Sequence, residues 1–124
     1  MIGIKNKKCN FLMGIFAATK YSLYGLKRLW EEKAFRYEIV SYIAVLFLFY
    51  LIGASYMHFI IITMLSFIVF AMESLNTAIE EIINHISPQW SKTAKNAKDL
   101  GSFAVFCTLM VNAIYILYVL TSTL

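Results

Sequence analysis

From Ile39 to Met57 the chain carries no formal charge. A helix of about 19 residues at 1.5 Å each is roughly 29 Å long, close to the thickness of the hydrocarbon core of a bilayer. In a chain of 124 residues, a soluble domain would have little left to cover an element of that kind. A second apolar run, Phe59 to Met72, holds about 14 residues and is too short to span alone. It reaches spanning length only if its helix continues through Glu73, Asn76, Thr77 and Glu80. A third run, Leu100 to Leu120, contains Asn112 but no charge. Apolar residues make up 60% of the chain and charged residues 15%, gathered in blocks rather than spread at amphipathic spacing. That distribution excludes a soluble globular class. The expected fold is an all-α membrane protein, a single domain over 1–124 with three transmembrane helices at 37–56, 59–84 and 99–121.

The segment before the first span reads differently. Residues 1–10 are polar, and fraying is expected there. From Phe11 to Trp30, Leu12, Ile15, Phe16, Leu23 and Leu26 recur at steps of three and four, with Lys20, Lys27 and Arg28 between them. The spacing predicts an amphipathic helix over 11–31, suited to lying in the membrane interface. Lys5, Lys7 and Lys8 resemble the start of a signal peptide, but the apolar stretch behind them is short and ends at Lys20, so no cleavage is expected. Cys9 and Cys107 have no partner at metal-ligand spacing and read as isolated small apolar residues.

Charge sets the orientation. All 11 Lys and Arg lie before residue 37 or between Lys92 and Lys98, and the hairpin around Ser55 to His58 has none. The positive-inside rule places the N-terminus and the second loop in the cytoplasm and the C-terminus outside. The expected location is the cell (inner) membrane, as a multi-pass protein. The net charge of +4 is small and there is no basic polar surface, so nucleic acid is not an expected partner.

Glu73, Asn76, Glu80 and Asn84 follow one another at steps of three, four and four, which puts them on one stripe of a helix. A charge inside the hydrocarbon region is costly unless it faces protein, water or a cation, so Glu73 and Glu80 are functional candidates. Glu81 falls off the stripe and reads as an ordinary helix-end charge. Lys92, Lys95, Lys98 and Asp99 precede the third span, while Glu31, Glu32, Arg36 and Glu38 lead into the first. Carboxylates suit Mg²⁺, lysines suit phosphate or anionic lipid, and a carboxylate beside a hydroxyl can act as a base. With five glycines, none in a GxxxxGK or glycine-rich pattern, no familiar soluble nucleotide fold is available.

These motifs resemble the prokaryotic diacylglycerol kinase family of small integral membrane kinases, which includes undecaprenol kinases. The likeness rests on Tyr21-Ser22 with Gly25-Leu26, on Ala34-Phe35-Arg36-x-Glu38, on Glu73-x-Leu75-Asn76-Thr77-Ala78-Ile79-Glu80, and on Ala97-Lys98-Asp99-Leu100-Gly101-Ser102. It covers nearly the whole chain from residue 12. The resemblance implies a homotrimer of three-span subunits with active sites shared between subunits. It also implies direct transfer of the γ-phosphate of ATP to a lipid hydroxyl, with Mg²⁺ as cofactor and no phosphoenzyme. By the same resemblance Glu73 is the general base, and Glu32 and Glu80 are metal ligands that also serve the nucleotide. Tyr21, Lys98 and Asp99 are nucleotide contacts; Phe35, Arg36, Glu38, Glu73 and Ser102 lie at the lipid substrate; Asn76 is a supporting residue.

The chain departs from the family pattern at three points. Asn84 stands where Asp is common, the Trp30–Glu32 spacing is one residue short and leaves Glu31 as an alternative ligand, and an Arg ahead of Tyr21 has no counterpart. The AFRxE and KDxGS forms make diacylglycerol the expected lipid and phosphatidic acid the product, with undecaprenol the alternative. A small proton-coupled transporter is a competing class, but it would place its carboxylate near the midplane. A non-catalytic scaffold would have no need of the Glu-Asn-Glu stripe.

Overall fold

The computed structural model describes residues 2–124, and the chain forms two compact units divided between Glu32 and Lys33. The first is a single helix, α1 (Ile2–Leu29). It begins well before Phe11, so the fraying expected over residues 1–10 is not what the structure has from Ile2 on, and Met1 lies outside the described residues. No proline interrupts this stretch, and lysine is a good helix former. Lys27 and Arg28 occupy the last turn, where the helix dipole favours cations. Phe11, Leu12, Ile15, Phe16, Leu23 and Leu26 are all exposed, as on a helix that lies in a membrane interface. The helix ends in tight turns, with Glu31 N–H donating to the Arg28 carbonyl and Glu32 N–H to that of Leu29.

The second unit holds α2 (Lys33–Ile52), α3 (Tyr56–Ile86) and α4 (Lys92–Thr123). All three are long and apolar enough to cross a membrane, and among the described residues there is no strand. The chain is a multi-pass membrane protein. At 1.5 Å per residue α2 is about 30 Å long, whereas α3 and α4 each exceed 45 Å. The excess length carries Glu80 and Glu81 of α3 and Lys92, Lys95, Lys98 and Asp99 of α4. Each helix is longer than its apolar run because polar residues extend it: α2 starts at Lys33, and α4 starts at Lys92 behind an N-cap, Ser91, whose Oγ accepts from Ala94 N–H at 3.1 Å.

The α2–α3 hairpin turns at Gly53, whose φ of +73° is left-handed and would strain any residue with a Cβ. Ser55 N–H then donates to His58 Nδ1 at 3.3 Å, closing the start of α3. Near this hairpin Phe49, Ile62 and Val119, one from each helix, form a fully buried cluster, with Phe49 edge-on to Phe59. Elsewhere Val40, Ile43, Phe47 and Leu51 on α2 and Phe103, Phe106, Met110, Ile114 and Leu117 on α4 stay exposed. In water these would form an untenable apolar surface; in a bilayer they are its contact with lipid. The buried face of α3 carries Ile62, Ser66, Val69, Glu73, Asn76 and Thr77, which makes α3 the helix that the other two cover.

Candidate active site

The polar stripe of α3 is graded by depth. Glu73 is 6% exposed and Asn76 8%, with Thr77 also buried; Glu80 is half-buried and Asn84 exposed. Glu73 stands 17 residues after Tyr56, roughly 26 Å along the axis and just inside the far boundary of a ~30 Å hydrocarbon layer. A charge facing lipid there would be disfavoured. Glu73 faces protein instead. Its carboxyl shares a hydrogen bond with the carboxyl of Glu38, from the second turn of α2. A hydrogen bond between two carboxyl groups needs one proton between them. Glu38 Oε2 is buried with no hydrogen-bond partner. It lines a cleft of about 190 Å³ that runs between the three helices past Tyr42, Ser66, Phe70 and Asn112.

Asn76 lies one turn beyond Glu73, against Gly101 of α4. A Cβ at Gly101 would overlap Asn76 Oδ1 and lie 3.3 Å from its Cγ, so only glycine lets the amide lie on the backbone of α4. Asn76 Oδ1 has no hydrogen-bond partner. It is a buried acceptor beside the carboxyl pair, held by packing.

At the charged end, Lys98 Nζ donates to Asn84 Oδ1 at 2.7 Å, and Lys95 Nζ pairs with Asp99 Oδ2 at 2.6 Å. Both pairs border a cleft of about 310 Å³ lined also by Ser87, Trp90 and Ser91. Because Asn84 is neutral, Lys98 keeps a net positive charge in this cleft, as an anion site requires. Phe35 is buried edge-on against Phe70, with ring centroids 5.5 Å apart, so its ring helps to hold α2 on α3. Arg36 and Ser102 are exposed. Tyr21 and Glu32 belong to the first unit: Tyr21 is exposed on α1, and Glu32 Oε1 lies 2.9 Å from Arg28 Nη1, with Glu31 at 3.7 Å from the same nitrogen.

Among the described residues no three His, Cys, Asp or Glu gather as a metal cage. Mg²⁺ bound together with a nucleotide needs only one or two carboxylates, since phosphate oxygens and water complete its shell. The half-buried Glu80, on the same helix face as Glu73, is a hard-oxygen donor of that kind, and the residues present fit the ion.

Sequence reasoning places Glu38 near the lipid but misses its pairing with Glu73. It also misses the Ser66–Asn112 contact, in which Ser66 Oγ donates to Asn112 Oδ1 at 3.4 Å, and the Tyr42–Thr63 hydroxyl pair at 2.9 Å. The one available signal is Asn112 itself, an amide in an otherwise apolar span.

A family model described as prokaryotic diacylglycerol kinase matches residues 20–120. A diacylglycerol kinase of Sinorhizobium is 45% identical over 105 residues, covering 85% of this chain and 77% of that one. The diacylglycerol kinase of Haemophilus influenzae is 32% identical over 84% of this chain and 89% of its own length. That of Escherichia coli K12 is 30% identical over 81% and 83%.

Proposed function

Since the chain belongs to the prokaryotic diacylglycerol kinase family and is a membrane lipid kinase, we propose that it transfers the γ-phosphate of ATP directly to the primary hydroxyl of diacylglycerol. The product is phosphatidic acid, and the site faces the cytoplasm from the inner membrane. The observation that carries this reading is the buried Glu73 carboxyl, paired with Glu38 where a membrane span meets its charged extension.

Glu73 takes the proton from the lipid hydroxyl on its carboxylate, and Glu38 orients it through their shared hydrogen bond. The lipid oxygen forms its bond to the γ-phosphorus as the bond to the β-phosphate oxygen breaks, and ADP leaves. The apolar cleft beside Glu38 offers the lipid a route to the base from the bilayer side. Lys98 and Asp99 meet the nucleotide at the other end of the stripe, Lys98 by its charge. Arg36 and Ser102, both exposed, and Phe35 are assigned to the lipid by the family resemblance. Mg²⁺ would be held by Glu80, with Glu32 assigned to it by sequence position alone, and it supplies charge neutralisation on the phosphates. Tyr21 on α1 is assigned to the nucleotide on the same ground.

The subunit is proposed to work as a homotrimer. Three helices leave much of their apolar surface open, and a shared site would complete the enclosure of the stripe. The orientation follows the lysine and arginine distribution.

The test is purified protein in lipid vesicles with labelled ATP, offered diacylglycerol and undecaprenol separately. Label in phosphatidic acid is expected. Label confined to undecaprenyl phosphate would reassign the substrate, and none in either lipid would overturn the reading.

A further inference from the structure

One polar cluster lies outside this chemistry, deep in the span. Asn112 of α4 sits 13 residues beyond Asp99, well inside the apolar part of its helix. Three hydrogen bonds tie its side chain to protein. Its Nδ2 donates to the Leu65 carbonyl at 3.2 Å and to the Thr108 carbonyl at 2.9 Å, and its Oδ1 accepts from Ser66 at 3.4 Å. Two of these three bonds cross from α4 to α3, and Ser66 is buried. In a bilayer no water stands ready to replace such bonds, so a slip between the helices would strand the amide and the hydroxyl together. A lone amide in an apolar helix interface is the best-attested device for fixing register.

The register matters because of what lies along the same face. Ser66 is seven residues before Glu73, two turns or about 10.5 Å away and nearly in line with it. Asn76 packs on Gly101 on the other side of Glu73. From Ser66 to Asn76 is ten residues of α3, and from Gly101 to Asn112 is eleven of α4; the two spans run antiparallel and match at roughly 15–16 Å. Glu73 is therefore bracketed by two fixed points of the α3–α4 contact. A shift of one residue would turn α3 by about 100° and carry Glu73 away from Glu38.

We propose that Ser66 and Asn112 form an intramembrane register lock that positions Glu73 against Glu38. They are positioning residues for phosphoryl transfer, acting through Glu73. The proposal rests on the reading of Glu73 as the base, and the test separates the two.

Asn112→Leu keeps the span apolar and removes the amide. In vesicle-reconstituted protein, kcat should fall about 10-fold, since misplacement of a catalytic group by about 1 Å costs up to 10²-fold. The Michaelis constant for ATP should stay within twofold. The exchange Ser66→Asn with Asn112→Ser rebuilds the pair from the opposite helices and should recover most of the loss. In a Glu73→Gln background, Asn112→Leu should cause no further decrease, because both act through one group. Ser66→Ala, which removes one bond of the three, should lie between wild type and Asn112→Leu, and it carries the same background test should Asn112→Leu fail to fold.

Full activity of Asn112→Leu would overturn the lock. So would an undiminished loss in the Glu73→Gln background, or an exchanged pair as slow as Asn112→Leu. Full activity of Glu73→Gln alone would instead overturn the assignment of the base, and the lock's catalytic role with it.

Discussion

Gly101→Ala adds one methyl group where the structure has no room for it. The new Cβ would overlap Asn76 Oδ1, with Asn76 Cγ at 3.3 Å and Ile79 Cδ1 at an ordinary 3.6 Å. The amide must turn away, or α3 and α4 must separate. Overpacking of this kind costs about 1–3 kcal/mol, against which alanine returns up to ~1 kcal/mol of helix propensity over glycine. If the helices separate, the melting temperature of the purified protein falls. If the amide turns, stability is kept and the group beside Glu73 is displaced. At 1.36 kcal/mol per tenfold, a 1–3 kcal/mol loss of transition-state stabilisation corresponds to roughly 5- to 150-fold in rate. Lipid kinase assays and thermal unfolding, run in parallel, read both branches. The decisive control is the Asn76→Ala background, which lacks the overlapping atoms: there Gly101→Ala should be neutral or slightly stabilising. An equal stability penalty in both backgrounds would refute the contact, and wild-type rate and stability for Gly101→Ala alone would refute the crowding.

Glu73→Gln should lower kcat by about 10²-fold or more with little change in the Michaelis constant for ATP, while Glu81→Gln, exposed and off the stripe, should retain near-normal turnover; equal losses would dissolve the distinction. Glu80→Gln should raise the Mg²⁺ concentration needed for half-maximal activity, with partial recovery in excess Mg²⁺, and an unchanged Mg²⁺ titration would remove Glu80 from the metal site. A reporter fused after Leu124 should read as external and one inserted between Ser87 and Lys95 as cytoplasmic, and the opposite pair would reverse the orientation and deny ATP its access.

The helices are legible from charge and apolarity because both act locally. An uncharged run of spanning length has one stable form in a bilayer, and the Glu73-Asn76-Glu80-Asn84 spacing puts those side chains on one face by helical arithmetic alone. The start of α1 is not legible in the same way: polarity suggests fraying, yet a lysine-rich stretch without proline holds a helix. The partners across helices are not legible either. Glu38 and Glu73 are 35 residues apart, and Ser66 and Asn112 are 46 apart; no periodicity links them, since each pairing depends on how α2 and α4 rotate about α3. Gly101 reads in sequence as part of a motif, and only the placement of Asn76 against it shows why a side chain is excluded there.

On the proposed reading, the gradient along α3 lets one helix serve both halves of the reaction. A base must be dry enough to be held in one geometry, and a lipid hydroxyl can reach it only from within the apolar layer. On the proposed reading Glu73, buried and paired with Glu38, is that base, and the lipid would approach by the cleft that Glu38 lines between the helices. A nucleotide cannot enter that layer, and the charges that would meet it lie two turns and more toward the polar end, at Glu80, Lys98 and Asp99. Seven residues separate Glu73 from Glu80, about 10.5 Å along the axis. A helix that ended with its apolar run at Met72 would hold neither group. The extension of α3 to Ile86, beyond what crossing the bilayer needs, would therefore let a single rigid element carry the proposed base inside the membrane boundary and the proposed phosphate site outside it.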